Sequence, residues 1–218
     1  MAILDPVRPK VLAARFIPSA PPDLARAYGL QPHHTSLALV TADQDDALYV
    51  ALDEATKQAP VDVVFGQSFY AGSNHASGPL SGEALGIIAG VSPADVREGL
   101  AACVRCLDED ACFYVGDASG KLVFFPHVVH AIGRYLAAES GLPEGSPLGY
   151  LIAPPLEAVI GLDAALKAAD VRLVKSFAPP TPTNFAGGYV TEELEQVEAA
   201  AVAFAEAVVE VGRAPRVI

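Results

Sequence analysis

The sequence predicts an α+β protein made of two similar halves, each a small, mainly antiparallel sheet covered by helices. Three observations support this: an internal repeat, Leu- and Val-rich strand patterns that alternate with helix patterns, and short links between them. The chain has 218 residues, of which 52% are hydrophobic, so it is long enough for two domains with buried cores. We expect a first domain at 1–108 and a second at 109–218.

The two halves align at a constant offset of 110 residues. LDEATKQAPVDVV (52–64) lies over LDAALKAADVRLV (162–174), and seven of the thirteen positions are identical, including Lys57 and Lys167. Shorter matches upstream follow in the same order, such as SLALVTA over PLGYLIA. A repeat of this length indicates that the chain arose by duplication of one structural module.

Each half is predicted to run strand, helix, strand, loop, strand and closing helix. Ser92 and Thr191 suit the starts of the closing helices, because their hydroxyls can accept hydrogen bonds from the first helical N–H groups. Pro93 and Glu192 follow them, and both residue types favour a first helical turn. We expect further helices near 22–28, 46–59, 127–139 and 156–169, and strands near 10–17, 36–42, 61–65, 113–125, 147–153 and 171–175.

The halves differ most in one loop, which begins GQSFYAGSNHASGPLSG. From Gly66 to Val91 the first half has 26 residues, whereas from Ser176 to Val190 the second half has 15. Lengthening a surface loop costs little closure entropy, so a neutral insertion is one interpretation. Long loops without regular structure are also often functional, which is the other interpretation.

Charge and composition argue against several classes of protein. The net charge of −12 would repel a phosphate backbone, so nucleic acid is not a predicted partner, whereas small cations or amines are. The most apolar helical stretch is interrupted by Glu206 and Glu210, so no membrane span is predicted. The N-terminal MAILDPVRPK lacks the apolar core of a signal peptide, which predicts a cytosolic protein.

Few motifs in the chain suggest chemistry. Cys103 and Cys106 share a predicted helix, with Cys112 nearby; we expect buried, reduced cysteines, and a three-cysteine metal site is the alternative. His127 and His130, at a predicted helix start, are expected to pack or cap. We find no nucleophile–base pair, hydrolase motif or phosphate-binding loop. The sequence therefore predicts no enzyme, no cofactor and no metal.

Two groups of polar residues lie in predicted turns and loops. Asp43, Asp45 and Asp46 follow the strand at 36–42 in the segment ADQDDA. Asp is favoured in turns because its side chain hydrogen-bonds the nearby backbone, and from the residues alone we prefer that role. The loop histidines are His33, His34 and His75, and one hypothesis is that His75 makes its loop sensitive to pH.

Three segments resemble one family: LDEATKQAPVDVVFGQSFYAG, YLIAPPLEAVIGLDAALKAADVRLV and PTNF. They are similar to bacterial microcompartment shell proteins of the tandem-domain type found in ethanolamine-utilisation compartments. The likeness covers nearly the whole chain, and the pattern of DAALKAADV occurs in both halves. It implies two circularly permuted shell domains in a homotrimer that mimics a hexamer. Such trimers would pack edge to edge with other shell proteins, in the shell of a compartment within the cytoplasm.

The resemblance also assigns roles at the tile edge and on its axis. Lys57 and Lys167 match the lysine that meets the neighbouring tile, although a Lys in an Ala-rich helix is commonly just a solvated residue. The extended loop, 66–82, would gate a channel on the threefold axis, with aromatic bulk and with glycines that let the backbone swing. The residues assigned to the gate are Phe69, Tyr70 and Gly72.

A ligand site is implied in small pores away from the axis, which in this family hold a small amino alcohol such as ethanolamine. Carboxylates can accept charge-assisted hydrogen bonds from an ammonium group, and an aromatic ring can add a cation–π contact. A hydroxyl can meet the alcohol. The assigned positions are Asp45, Asp46, Glu83, Phe113 and Thr183, with Asn184 adjacent.

Two other functions remain open from the sequence. An amine-sensing regulatory protein would also need an acidic pocket, and its loop would contact a target. An enzyme would need a nucleophile–base pair, which the sequence does not offer. Electron microscopy would separate the first two hypotheses, because a shell protein forms tiled trimers and a regulator stays monomeric. Turnover of an amine would indicate an enzyme.

Overall fold

The computed structural model describes residues 2–68 and 84–216. The described chain contains six helices and ten strands. The helices are α1 (Pro22–Ala27), α2 (Asp45–Gln58), α3 (Pro93–Glu109), α4 (Arg134–Ser140), α5 (Pro155–Ala168) and α6 (Leu194–Arg213). The strands are β1 (Pro6–Val7), β2 (Val11–Ile17), β3 (Ser36–Ala42), β4 (Val61–Ser68), β5 (Ala84–Gly90), β6 (Phe113–Val115), β7 (Val123–Val129), β8 (Leu148–Ala153), β9 (Arg172–Phe177) and β10 (Ala186–Thr191).

Packing divides the chain into two compact units. The N-unit consists of Arg8–Ala111 and Gly133–Glu139, and the C-unit consists of Met1–Val7, Cys112–Ile132 and Ser140–Ile218. Each unit therefore includes one short segment from the other half of the sequence. The domain boundary that the repeat predicts, between residues 108 and 109, stays a prediction.

The two units share one antiparallel sheet order. In the N-unit the order is β2-β3-β5-β4, and in the C-unit the four equivalent strands run β7-β8-β10-β9. The C-unit sheet is extended at the β7 edge by β6 and β1. The same order of equivalent strands in both sheets is what a duplicated module requires, so the predicted α+β fold of two similar halves is confirmed.

Helix pairs cover these sheets and supply the cores. In the N-unit α2 packs against α3, and both contact the sheet; in the C-unit α5 and α6 do the same. The C-unit core combines apolar residues of β7, β8, β10 and α6, which on β strands occupy alternate positions. Its fully buried members include Phe124, Leu151, Val190, Phe204 and Val208.

The predicted starts of the two closing helices had different outcomes. Ser92 is the N-cap of α3, and its hydroxyl accepts a hydrogen bond from Asp95 N at 3.2 Å, which confirms the prediction. The start at Thr191 is wrong, because Thr191 is the last residue of β10 and α6 begins at Leu194. The Thr191 hydroxyl instead donates to the Pro147 carbonyl at 2.6 Å.

The region around PHVVH was also predicted incorrectly. The strand expected at 113–125 is two strands, β6 and β7, and the helix expected at 127–139 begins only at Arg134. His127 lies inside β7 with its ring stacked on Phe125 at 5.1 Å between centroids, so it is not at a helix start. Val and Phe at neighbouring positions favour an extended strand here, and that preference outweighed the helix pattern.

The prediction that the cysteines are buried and reduced is confirmed. Cys103, Cys106 and Cys112 are buried free thiols. Burial raises the pKa of Cys106 to about 12, so this thiol stays protonated at neutral pH. In the part of the chain that the structure describes, the three cysteines do not form a metal-ligand group. No helix there is both long and apolar enough to cross a membrane.

Candidate functional site

The acidic residues of ADQDDA lie at the start of α2. Asp45 and Asp46 occupy its first turn, and Gln44, the N-cap, makes no side-chain capping hydrogen bond. Only 8% of Asp45 and 7% of Asp46 is exposed. Asp45 Oδ1 accepts a hydrogen bond from Asp46 N at 3.0 Å. The pair therefore belongs to a buried helix N-terminus, where the helix dipole stabilises negative charge.

Burial has the largest effect on the pKa of the Asp45 carboxyl. It raises the pKa of Asp45, and hydrogen bonds from backbone N–H groups, including that of Asp46, lower it in part. A carboxylate kept from water interacts more strongly with a cation than an exposed one does. This arrangement can accept a small cation, because an ammonium group would compensate the cost of burying the charge.

Tyr49 is a neighbour of the acidic pair that the sequence analysis did not single out. It lies one turn after Asp45 on the same face of α2, and its ring centroid is 6.4 Å from that of Tyr135. Burial, and then the charge of Asp45, raise the pKa of Tyr49 above the ordinary tyrosine range. The phenol therefore stays neutral. The i, i+4 spacing from Asp45 was the signal that could have identified it.

The remaining described ligand positions belong to the C-unit. Phe113, in β6, is buried, and its ring packs edge-on against Phe185 with centroids 5.9 Å apart. The residues that precede Phe185 form a tight turn. In this turn Asn184 adopts φ +59°, and its N–H donates to the Thr181 carbonyl at 3.1 Å. The structure thus brings Phe113 to the turn that carries Thr183 and Asn184.

Several assigned residues lie outside the described residues. They are Glu83 of the ligand set and Phe69, Tyr70 and Gly72 of the gate. Their roles stay predictions. The strand β4 that leads toward them and the strand β5 that follows them are paired in an antiparallel hairpin, Ser68 with Ala84.

The two lysines of the repeat have different surroundings. The Lys57 side chain is 28% exposed and forms an ion pair with Glu54 at 2.5 Å. The Lys167 side chain is 73% exposed and forms an ion pair with Asp163 at 2.7 Å. Lys167 is therefore the more available of the two for a neighbouring molecule.

A buried carboxylate links α2 to the segment that the second half of the sequence contributes to the N-unit. Asp53 is fully buried and accepts hydrogen bonds from Gly133 N at 2.7 Å and Leu136 N at 2.8 Å. The neighbouring Thr56 also contributes, because its Oγ1 accepts a hydrogen bond from Arg134 N at 3.1 Å. Together these side chains cap the N-terminus of α4, since first-turn N–H groups have no partner within their own helix.

Burial raises the pKa of Asp53, and the two N–H donors offset this in part. The carboxylate is therefore costly to bury and is retained with matched donors. Its counterpart in the repeat, Asp163, is exposed and forms an ion pair with Lys167. The two halves therefore have the same residue at this position, but Asp53 and Asp163 have different roles.

Comparison with known proteins gave near full-length matches, although no family model matches the chain. The chain is 49% identical over 211 residues to the bacterial microcompartment shell protein EutL of Clostridium perfringens, covering 97% of each sequence. It is 45% identical over 215 residues to the EutL of Escherichia coli, covering 99% of this chain and 98% of the relative. The crystal structure of the ethanolamine utilization protein EutL from Leptotrichia buccalis superimposes with a TM-score of 0.95, at 46% identity and full coverage of both chains.

Proposed function

Because this chain belongs to the EutL family of bacterial microcompartment shell proteins, we propose that three copies of it form a six-sided tile of such a shell. The near full-length likeness to EutL proteins is the observation that carries this proposal. The duplicated architecture supports it, because two similar units per chain give six similar units in a closed ring of three. The relatives are structural shell proteins, and the chain is accordingly a structural protein.

The exposed Lys167 is the proposed contact at the edge of the tile. Purified protein at high concentration is expected to form flat sheets in electron microscopy, and Lys167→Ala is expected to reduce them strongly. Lys121→Ala removes the same charge from an exposed turn and serves as the control. Single tiles should persist in both variants. Equal sheet formation by wild type and Lys167→Ala would contradict the edge role.

We also propose that the acidic start of α2 binds a small primary amine that carries a hydroxyl group, ethanolamine being the nearest match. Asp45 and Asp46 are buried carboxylates at a point where an ammonium group would neutralise them. The Leptotrichia buccalis relative is described as an ethanolamine utilization protein, which supports this choice of amine. Glu83, Phe113, Thr183 and Asn184 are the other proposed contacts. Binding should be weak, since a pore must release what it admits.

Calorimetric titration with ethanolamine tests this site. We expect Asp45→Asn and Glu83→Gln each to weaken binding by about tenfold or more, because a hydrogen bond to a charged group contributes about 1.5–3 kcal/mol. Asp23→Asn removes one negative charge from a side chain that is almost fully exposed, and it should leave the affinity unchanged. Wild-type affinity in both site variants would contradict the proposal.

The extended loop is proposed to gate a channel on the threefold axis of the tile. Its sequence combines Phe69 and Tyr70 with several glycines, and it has no counterpart of equal length in the second half. Deleting Ser73 to Leu80 is expected to widen the axial opening in a cryo-electron microscopy reconstruction of the assembled protein. An unchanged opening would refute the gate.

A further inference from the structure

Two histidines and an aspartate of the N-unit lie close together, and none of them belongs to α2. His33 and His34 are in the loop between α1 and β3, and Asp62 is the second residue of β4. His34 Nε2 lies 2.9 Å from Asp62 Oδ2, and His33 Nε2 lies 4.0 Å from the same oxygen. One ligand atom from each residue lies within 4.8 Å of the other two.

The surroundings orient these side chains. Only 2% of the His34 side chain is exposed, and its Nδ1 accepts a hydrogen bond from Gln31 N at 3.2 Å. Arg134 Nε lies 3.6 Å from Asp62 Oδ1, so the guanidinium faces one carboxylate oxygen while the other faces the histidines. The side chains of His33 and Asp62 are about half exposed, which leaves a path from solvent.

We propose that His33, His34 and Asp62 bind one divalent transition-metal ion of the zinc class. Imidazole and carboxylate are ligands that zinc accepts, with bonds of about 2.0–2.2 Å, and a tetrahedral site then spaces its ligand atoms about 3.3 Å apart. The observed separations of 2.9 and 4.0 Å lie on either side of that value. A fourth position would remain for water or for a group from another molecule.

His33 is not needed for the hydrogen bond between His34 and Asp62, so its position beside them calls for another explanation. His34 already donates to Asp62, and an isolated pair of this kind would be complete without His33. The two rings instead pack edge to face with centroids 4.2 Å apart, and both Nε2 atoms approach one oxygen. By contrast, His130 approaches Glu198 at 3.7 Å in the C-unit, and no group of three metal-binding side chains is found there among residues 2–68 and 84–216.

Binding moves one proton on His34. At present Nδ1 accepts from Gln31, so the ring proton lies on Nε2 and is donated to Asp62. A metal ion on Nε2 takes the lone pair of that nitrogen, and the proton transfers to Nδ1, so the ring stays neutral. The Gln31 N–H must then turn away. Since one hydrogen bond is exchanged for metal ligation, we expect moderate affinity compared with a preformed zinc site.

The test is a titration of untagged, chelator-treated full-length protein with Zn²⁺, followed by calorimetry. We expect one ion per chain. His33→Gln should weaken binding at least tenfold, since it removes one of three ligands from a half-exposed position where folding is little affected. His130→Gln is the matched control, and it should bind like wild type. Equal melting temperatures of the metal-free proteins would show that both variants fold.

A second measurement identifies the ligands. Co²⁺ added in place of Zn²⁺ should give visible absorption without the near-ultraviolet thiolate band that cysteine ligands produce. A thiolate band would place the ion on the cysteines and overturn the proposal. It would also be overturned by unchanged affinity in His33→Gln, or by no Zn²⁺ uptake by wild type. None of these outcomes depends on whether the protein forms tiles.

Discussion

The Asp53→Ala variant is expected to lose about 3 kcal/mol of unfolding free energy, which is a large fraction of the stability of a typical domain. The substitution leaves the N–H groups of Gly133 and Leu136 buried without the acceptor that now satisfies both. Each such loss costs about 1–3 kcal/mol. Guanidinium denaturation followed by circular dichroism, at one fixed protein concentration, measures the difference.

The internal repeat supplies the control for this experiment. Asp163 occupies the equivalent position, and its side chain is 57% exposed and forms an ion pair with Lys167. Asp163→Ala should therefore cost less than about 1 kcal/mol, as is usual for surface ion pairs. Equal losses in the two variants would show that Asp53 does not hold the segment Gly133–Glu139 in the N-unit.

The Gly187→Ala variant is expected to lose more than about 4 kcal/mol or to fail to accumulate as folded protein. Gly187 has φ +153°, and a Cβ atom there would lie 1.9 Å from the Leu151 carbonyl oxygen. That oxygen belongs to the backbone of β8. Gly187 is paired with Ile152 on one side and Phe177 on the other, so β10 cannot move aside. Thermal melting and the yield of folded protein measure the effect.

Gly141 separates the steric clash from the conformational cost of losing a glycine. It is also in the C-unit and has φ +73°, but a Cβ atom there would meet nothing within 4 Å. Gly141→Ala should therefore cost only about 1–2 kcal/mol, which is the penalty for a left-handed alanine. If Gly187→Ala melted like Gly141→Ala, the close approach of β10 to β8 would be incorrect.

The repeat made most of the fold predictable. Matching segments at one offset imply matching strands, and the two sheets have the same order of equivalent strands. Local patterns were less reliable where two preferences competed. Thr191 suits a helix N-cap, yet β10 continues through it, because sheet pairing with Arg172 outweighs the local preference.

The side-chain groups that depend on tertiary contacts could not be predicted. Asp53 reaches residues 80 and 83 positions away, and no local pattern indicates that α4 packs in the N-unit. His34 and Asp62 are 28 residues apart in the sequence, and the tertiary fold brings their side chains within 2.9 Å of each other. The buried start of α2 was found through the family resemblance, since from the residues alone its aspartates looked like turn formers.

The proposed tile requires three copies of the duplicated chain to associate. Native mass spectrometry of the purified protein tests it most directly. We expect a dominant species with three times the 22.6 kDa mass of one chain. A dominant monomer or dimer at micromolar concentration would contradict it.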